Sequence, residues 1–186
     1  MDVGILGGTF DPPHKGHLEL ARIVLSSGEV EQVWFVPCFA HRLGKQPASF
    51  ADRLAMCRLL VADEVSMCVS DIEQELEHPG YTLELLHALA ARYPSHGLRL
   101  VAGTDIYHER EKWHRYDEVA SLAPPIYVER LGSPPIPLPM LPPPPEISSS
   151  RIRQEIENGI STCVDVPQEV MDYIVSRGLY RRSVSR

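Results

Sequence analysis

The amino-acid sequence predicts an α/β fold built on a mostly parallel sheet, and three observations carry that expectation. Apolar runs of strand length alternate with helix-like patterns along the chain, as expected where helices pack on the faces of a parallel sheet. Two of these runs end in glycine followed by polar residues, at Gly7-Gly8-Thr9 and at Gly103-Thr104-Asp105. In open α/β sheets ligands bind beyond the carboxyl ends of the strands, so both turns could face one crevice. Finally, 186 residues with 44% hydrophobic and 23% charged content suit one domain with a substantial core.

The elements follow in order. Asp2 to Leu6 is a short apolar run that stops at Gly7-Gly8, so a strand and a tight turn are expected. After Pro12-Pro13, the segment Leu18 to Leu25 places Leu18, Ala21, Ile23, Val24 and Leu25 on a broad apolar helical face. Val33 to Cys38 repeats the strand pattern, Phe50 to Ala62 the helical one, and Ser66 to Ser70 is a weaker strand. Tyr81 to Tyr93 reads as a helix ended by Pro94, Leu98 to Ala102 as a buried strand, Trp113 to Leu122 as a helix, and Ile126 to Glu129 as the last strand.

Ser133 to Pro145 is so dense in proline that neither helix interior nor central strand is possible, and an extended connector is expected. Two helices follow. Ser148 to Asn158 has Ser available as N-cap and Gly159 as stop; Pro167 to Arg177 has Pro at its start and Gly178 at its end. There are no internal repeats. The expected organisation is one domain over 1–186, with an α/β core at 1–132, a Pro-rich connector at 133–146 and a helical segment at 147–186.

Composition narrows the function classes. A net charge of -7 argues against a general nucleic-acid binder, which needs a basic surface to displace counterions, but leaves room for a small anionic ligand. Cys38, Cys57, Cys68 and Cys163 are scattered, with no CxxC pair and no His at zinc-ligand spacing, so reduced and mostly buried thiols are expected, with no metal site. The early residues lack a basic, long-apolar leader pattern, and no stretch reaches the ~20 apolar residues of a membrane span, so a cytoplasmic protein without a membrane partner is expected. Nothing in the pattern signals an oligomeric state.

The densest chemistry is in Gly7-Gly8-Thr9-Phe10-Asp11-Pro12-Pro13-His14-Lys15-Gly16-His17. This is neither a P-loop, which ends in Gly-Lys-Ser/Thr, nor GxGxxG. The physics is related, because glycines admit a close ligand and a helix start offers free N–H groups to an anion. His14 and His17, three residues apart across that start, can point both imidazoles the same way, toward phosphate oxygens. Taken singly, the glycines are a turn and the histidines surface residues; the whole string is what carries the signal. A second anion site is suggested at Ile147-Ser148-Ser149-Ser150-Arg151-Ile152-Arg153, where hydroxyls and free N–H groups at a helix start precede an Arg.

The first string resembles the HxGH signature of the nucleotidyltransferase superfamily, and its GGTFDPPHxGH form resembles the bacterial nicotinate-nucleotide adenylyltransferases. Phosphopantetheine adenylyltransferases typically carry Thr where this chain has His14, and glycerol-3-phosphate cytidylyltransferases lack the double Pro. The resemblance implies a Rossmann-like parallel sheet with helices on both faces and a small C-terminal helical part. It implies His14 and His17 as catalytic residues, and Gly8, Thr9, Phe10, Gly103 and Asp105 at the ATP. Through similarity of the second string to ISSTxIR, it adds Ile147, Ser149, Ser150 and Arg153 on the ATP phosphates.

The same resemblance extends to the acceptor. Gly103-Thr104-Asp105 with Trp113 eight residues beyond Asp105 is similar to the family's GxD...W segment, implying Asp105 on ribose hydroxyls and Trp113 on the pyridine ring. Gly80-Tyr81-Thr82 is similar to SYT, implying a backbone N–H near Thr82 for the nicotinate carboxylate. His41-Arg42, with Lys45, lies where the family has a Pro-His-Lys or Pro-His-Arg loop, although Ala40 replaces the Pro; a basic loop over phosphates and a plain solvated loop both remain open. Arg130 corresponds to a family Arg near the substrate, with Leu131 in place of the usual Pro.

The expected function is therefore adenylyl transfer from ATP to nicotinate mononucleotide, with Mg²⁺ bound mainly through ATP phosphates. The alternatives are another phosphomonoester acceptor, such as phosphopantetheine or nicotinamide mononucleotide, and a nucleotide-binding module without turnover.

Overall fold

A computed structural model of the chain describes residues 1–39, 47–77, 80–160 and 164–181. Its centre is a parallel sheet of five strands: β1 (Asp2–Gly8), β2 (Gln32–Pro37), β3 (Met67–Val69), β4 (Gly97–Gly103) and β5 (Pro125–Val128), in the order β3-β2-β1-β4-β5. Strand order reverses on either side of β1, which opens a crevice at the carboxyl ends of β1 and β4.

Two apolar layers flank the sheet. On one face Leu6, Val33 and Phe35 meet Ala21 and Val24 of α1 (Lys15–Ser26), Met56 and Leu60 of α2 (Phe50–Leu60), Ile152 of α6 (Ser149–Glu157), and Val170 and Ile174 of α7 (Gln168–Ser176). On the other, Val3, Ile5, Trp34 and Leu100 meet Leu83, Leu86 and Leu89 of α3 (Thr82–Arg92) and Val119 of α5 (Tyr116–Leu122). The alternation of Ile5 and Leu6 between these layers is the period-two pleat of a strand buried on both faces. The two C-terminal helices thus share the core of α1 and α2. Among the described residues no helix is long and apolar enough to cross a membrane.

Several expectations need correcting. β1 does not stop at the glycines: Gly7 pairs with Val36 and Gly8 with Pro37, so the turn begins at Thr9. Extended pairing suits glycine as well as a turn does, and sequence pattern alone does not separate the two. β4 likewise runs through Gly103, which pairs with Val128.

The helix expected from Trp113 starts instead at Tyr116. Trp113 is extended (φ -82, ψ 139), following a 3₁₀ turn at Arg110–Lys112, and Arg115 is left-handed (φ 53, ψ 48). Apolar spacing registers Trp113 and Tyr116 as one face and cannot register a left-handed residue between them. A short helix α4 (Thr104–Glu109), which no apolar period announces, directly follows β4. Of the described cysteines, only Cys57 is buried; Cys38 is half-buried and Cys68, on the edge strand β3, is exposed, while Cys163 lies outside the described residues.

The connector is extended as proline requires, and Leu141 lies parallel to Val128, with its N–H donating to the Tyr127 carbonyl at 2.8 Å and its carbonyl accepting from Glu129 at 2.9 Å. It returns the chain to the top of the sheet, where α6 begins.

Candidate active site

A cleft of about 800 Å³ opens at the carboxyl ends of β1 and β4. Gly8, Thr9, His14 and His17 form one wall; Gly103, Asp105, Trp113 and Arg130 another; Thr82, Ile147 and Ser149 also line it. Phe10, Ser150 and Arg153 are off the wall, and His41, Arg42 and Lys45 lie outside the described residues.

His14 is the N-cap of α1 in extended conformation, and His17 sits one turn into the helix. Their rings stack with centroids 3.7 Å apart and planes 25° apart. The His14 backbone N–H donates to His17 Nδ1 at 3.2 Å, the return half of a capping box. That bond makes Nδ1 an acceptor, so neutral His17 carries its proton on Nε2, free to donate. Burial pushes His14 down to about 4; Asp165 opposes the shift and Arg151 reinforces it. Burial, then the neighbouring His14, holds His17 well below its ordinary value. Near neutrality the pair is therefore two uncharged imidazoles at the amide end of a helix. Gly16 permits this packing, because a Cβ there would come within 3.1 Å of both His14 Nδ1 and the Pro145 carbonyl.

The loop between β1 and α1 is held from behind. Asp11 Oδ1 accepts from the Ala48 N–H at 3.0 Å and the Tyr180 hydroxyl at 2.8 Å. Arg153 Nη1 donates to the Asp11 carbonyl at 2.5 Å and lies 3.5 Å from its carboxylate, and Ser149 Oγ donates to the Pro12 carbonyl at 2.9 Å. The Phe10 ring is buried beneath Gly8, where a Cβ would sit 3.0 Å from it, and packs edge-on to His17 at 5.0 Å. Phe10 and Arg153 thus shape the loop from its protein side, since a left-handed Phe10 (φ 51) turns its ring inward and Arg153 is engaged by Asp11.

Asp105, in the first turn of α4, stands over Gly103: a Cβ on Gly103 would lie 2.3 Å from Asp105 Oδ1. Oδ2 is 3.0 Å from Arg130 Nη1, while Oδ1 is buried with no hydrogen-bond partner among the described residues. An unpartnered buried carboxylate oxygen is costly unless a ligand supplies a donor. Thr104 Oγ1 accepts the Arg130 N–H at 3.1 Å, which fixes the base of that exposed side chain. Thr82 begins α3, so its N–H is one of the amides a helix start leaves without an intrahelical partner. Among the described residues no group of three His, Cys, Asp or Glu is placed to hold a metal ion.

The sequence matches the cytidylyltransferase-like family over residues 5–155. A probable nicotinate-nucleotide adenylyltransferase of Anaeromyxobacter sp. (strain K) is 41% identical over 183 residues, 97% of each chain. The nicotinate-nucleotide adenylyltransferase of Bacillus subtilis (strain 168) is 34% identical over 184 residues, 96% of this chain and 97% of that one. This chain belongs to the nicotinate-nucleotide adenylyltransferase family. Its fold is also that of the nicotinic acid mononucleotide adenylyltransferase of Plasmodium falciparum, solved in complex with NaAD: the TM-score is 0.80 at 18% identity, covering 96% of this chain and 97% of that one.

Two charged residues of this adenylyltransferase escape motif reading. Arg53 of α2 is 1% exposed and Glu73, in the 3₁₀ turn Ile72–Glu75, is 5% exposed and reaches the cleft. The available signal was Arg53 itself, a charge three and four positions before Met56 and Cys57 on the buried stripe of α2.

Proposed function

We propose that this adenylyltransferase transfers AMP from ATP to the 5′-phosphate of nicotinate mononucleotide, releasing pyrophosphate and forming deamido-NAD in NAD biosynthesis, with residues 1–186 acting as one cytoplasmic catalytic unit. The observation that carries the reading is the stacked His14–His17 pair at the start of α1, in one cleft with Asp105 and Trp113.

An oxygen of the acceptor phosphate attacks the α-phosphorus as the bond to the β-phosphate oxygen breaks. That nucleophile is already ionised near pH 7, so the protein supplies position and charge stabilisation rather than a base. His17 Nε2–H and the His14 imidazole donate to phosphate oxygens as negative charge moves toward the leaving pyrophosphate. The N–H groups at the start of α6, which also lines the cleft, receive the outgoing group. The imidazole and amide donors suit phosphate oxygens better than a bare cation; Mg²⁺ would be held mainly by the ATP phosphates themselves and would supply charge neutralisation there. On the acceptor side, Asp105 Oδ1 takes a ribose hydroxyl, Trp113 covers the pyridine ring, and the Thr82 N–H meets the carboxylate.

Pyrophosphate release from Mg-ATP, measured with nicotinate mononucleotide, nicotinamide mononucleotide and phosphopantetheine in parallel, tests the reading. Highest kcat/KM with nicotinate mononucleotide is expected. Preference for phosphopantetheine would refute the acceptor, and no release with any of them would refute turnover.

A further inference from the structure

We propose that Arg53 and Glu73 are positioning residues that grip the Cys38–Phe39 peptide from its two sides and so couple the ATP loop after β1 to the acceptor loop before α3. This inference deepens the proposed function and rests on it for the identity of the two substrates.

Each of the three guanidinium nitrogens of Arg53 donates to a backbone carbonyl, in three separate segments. Nη1 donates to Thr9 at 2.8 Å, Nη2 to Cys38 at 2.8 Å and Nε to Ala48 at 3.0 Å. Thr9 lines the cleft immediately after β1, and Cys38 lines it immediately after β2. Drawing the Thr9 carbonyl toward Arg53 keeps its negative end off the cleft; because C=O and N–H of a trans peptide point opposite ways, the Phe10 N–H is turned to the other side. A carbonyl aimed at a triphosphate would repel it, and a buried cation behind the loop attracts it.

Glu73 holds the other edge of the second peptide. Its Oε2 accepts the Phe39 N–H at 2.8 Å, and its carboxylate also accepts the Gly80 N–H. Burial pushes the Glu73 carboxyl up, while these two N–H groups and then the Arg53 charge oppose the shift. The Cys38–Phe39 peptide is therefore bonded to a buried cation through its carbonyl and to a buried anion through its N–H. From Glu73 the chain of contacts continues to Gly80, two residues before Thr82. A continuous path of hydrogen bonds thus runs from Thr9 through Arg53, the peptide and Glu73 to Gly80.

The geometry defines discriminating substitutions. Arg53→Lys retains the charge, yet a compact ammonium cannot span three carbonyls that a planar fork reaches. Glu73→Gln removes the charge and leaves a single acceptor oxygen for the two N–H groups. Steady-state kinetics with Mg-ATP and nicotinate mononucleotide are measured on both variants and the double variant, with thermal melts as the check on folding. Arg53→Lys is expected to raise KM for ATP at least about tenfold with a smaller change for the acceptor, and Glu73→Gln to do the reverse. The double variant should fall clearly short of the product of the two single effects, because releasing either end frees the shared peptide.

Folded variants with both KM values unchanged would overturn the proposal, as would multiplicative effects in the double variant. Equilibrium titration with ATP alone, without turnover, keeps the ATP arm readable if nicotinate mononucleotide proves not to be the acceptor: weaker ATP binding by folded Arg53→Lys supports the clamp, and unchanged binding refutes it. Should a variant melt below assay temperature, Arg53→Gln and Glu73→Asp replace it under the same criteria.

Discussion

Acid should destabilise this protein through His14 before it touches most of its carboxylates. The folded imidazole titrates at about 4 against an ordinary 6.5, chiefly because it is buried. The unfolded chain therefore binds a proton on His14 that the folded chain refuses. The stabilisation is fully present above pH 6.5, is lost progressively as the pH falls from 6.5 to about 4, and changes no further below that. Linkage costs about 1.4 kcal/mol per pH unit inside this window, so the 1.5 units between 6.5 and 5 remove about 2 kcal/mol. With an m-value of roughly 2 kcal/mol/M in urea, the midpoint moves down by about 1 M. Urea unfolding of wild type and His14→Asn at pH 7.5, 6 and 5 measures it, since the remaining titrating groups are common to both and loss of His14 only relieves its downward pull on His17. Wild type should lose about 2 kcal/mol more than the variant between pH 7.5 and 5. Parallel pH profiles would refute the reasoning and mean that the folded imidazole accepts its proton freely.

Three further outcomes follow from the geometry. His17→Ala should stay folded and lose on the order of 10²-fold or more in kcat, because it removes a donor aimed at developing phosphate charge; near-normal turnover would take His17 out of the mechanism. Gly103→Ala puts a Cβ 2.3 Å from Asp105 Oδ1, so the carboxylate must swing away; KM for the acceptor should rise several-fold with little change in melting temperature, and unchanged kinetics would show that Asp105 Oδ1 is not used. Tyr180→Phe removes the 2.8 Å bond to Asp11, and chemical denaturation should show a loss of about 1.5–3 kcal/mol, as for a hydrogen bond to a charged group; a neutral result would show that the loop is held without Tyr180.

Much of the fold was legible because the sheet is buried on both faces. Val33 to Cys38 and Leu98 to Ala102 are continuous apolar runs of strand length, and the structure pairs them within a residue or two of those limits. What failed were features whose determinants are not apolar. The strand continues through Gly7-Gly8 because its partner Val36-Pro37 is there to pair with, a fact held in another segment of the chain. Helix α5 starts late because Arg115 adopts a left-handed conformation that its residue type does not announce.

The site divides in the same way, between local strings and the contacts that fix them. His14 and His17 could be read as a pair from their three-residue spacing across the helix start, while the extended N-cap His14 and its bond to His17 Nδ1 set the ring stack at 3.7 Å. Asp105 and Trp113 could be proposed by resemblance, yet only the fold shows Asp105 Oδ1 buried without a partner. Arg153 looked like a phosphate ligand on the strength of its motif. In the structure it is bonded to Asp11, whose carboxylate also receives Tyr180 from the C-terminal segment and Ala48 from before α2. There Arg153 orders the loop that presents the histidines. Motif residues state which chemistry is available; the buried residues bonded to backbone carbonyls and amides, Arg53 and Glu73 foremost, decide where the loops that carry it stand. Such contacts join positions up to 44 residues apart, and no local pattern encodes them.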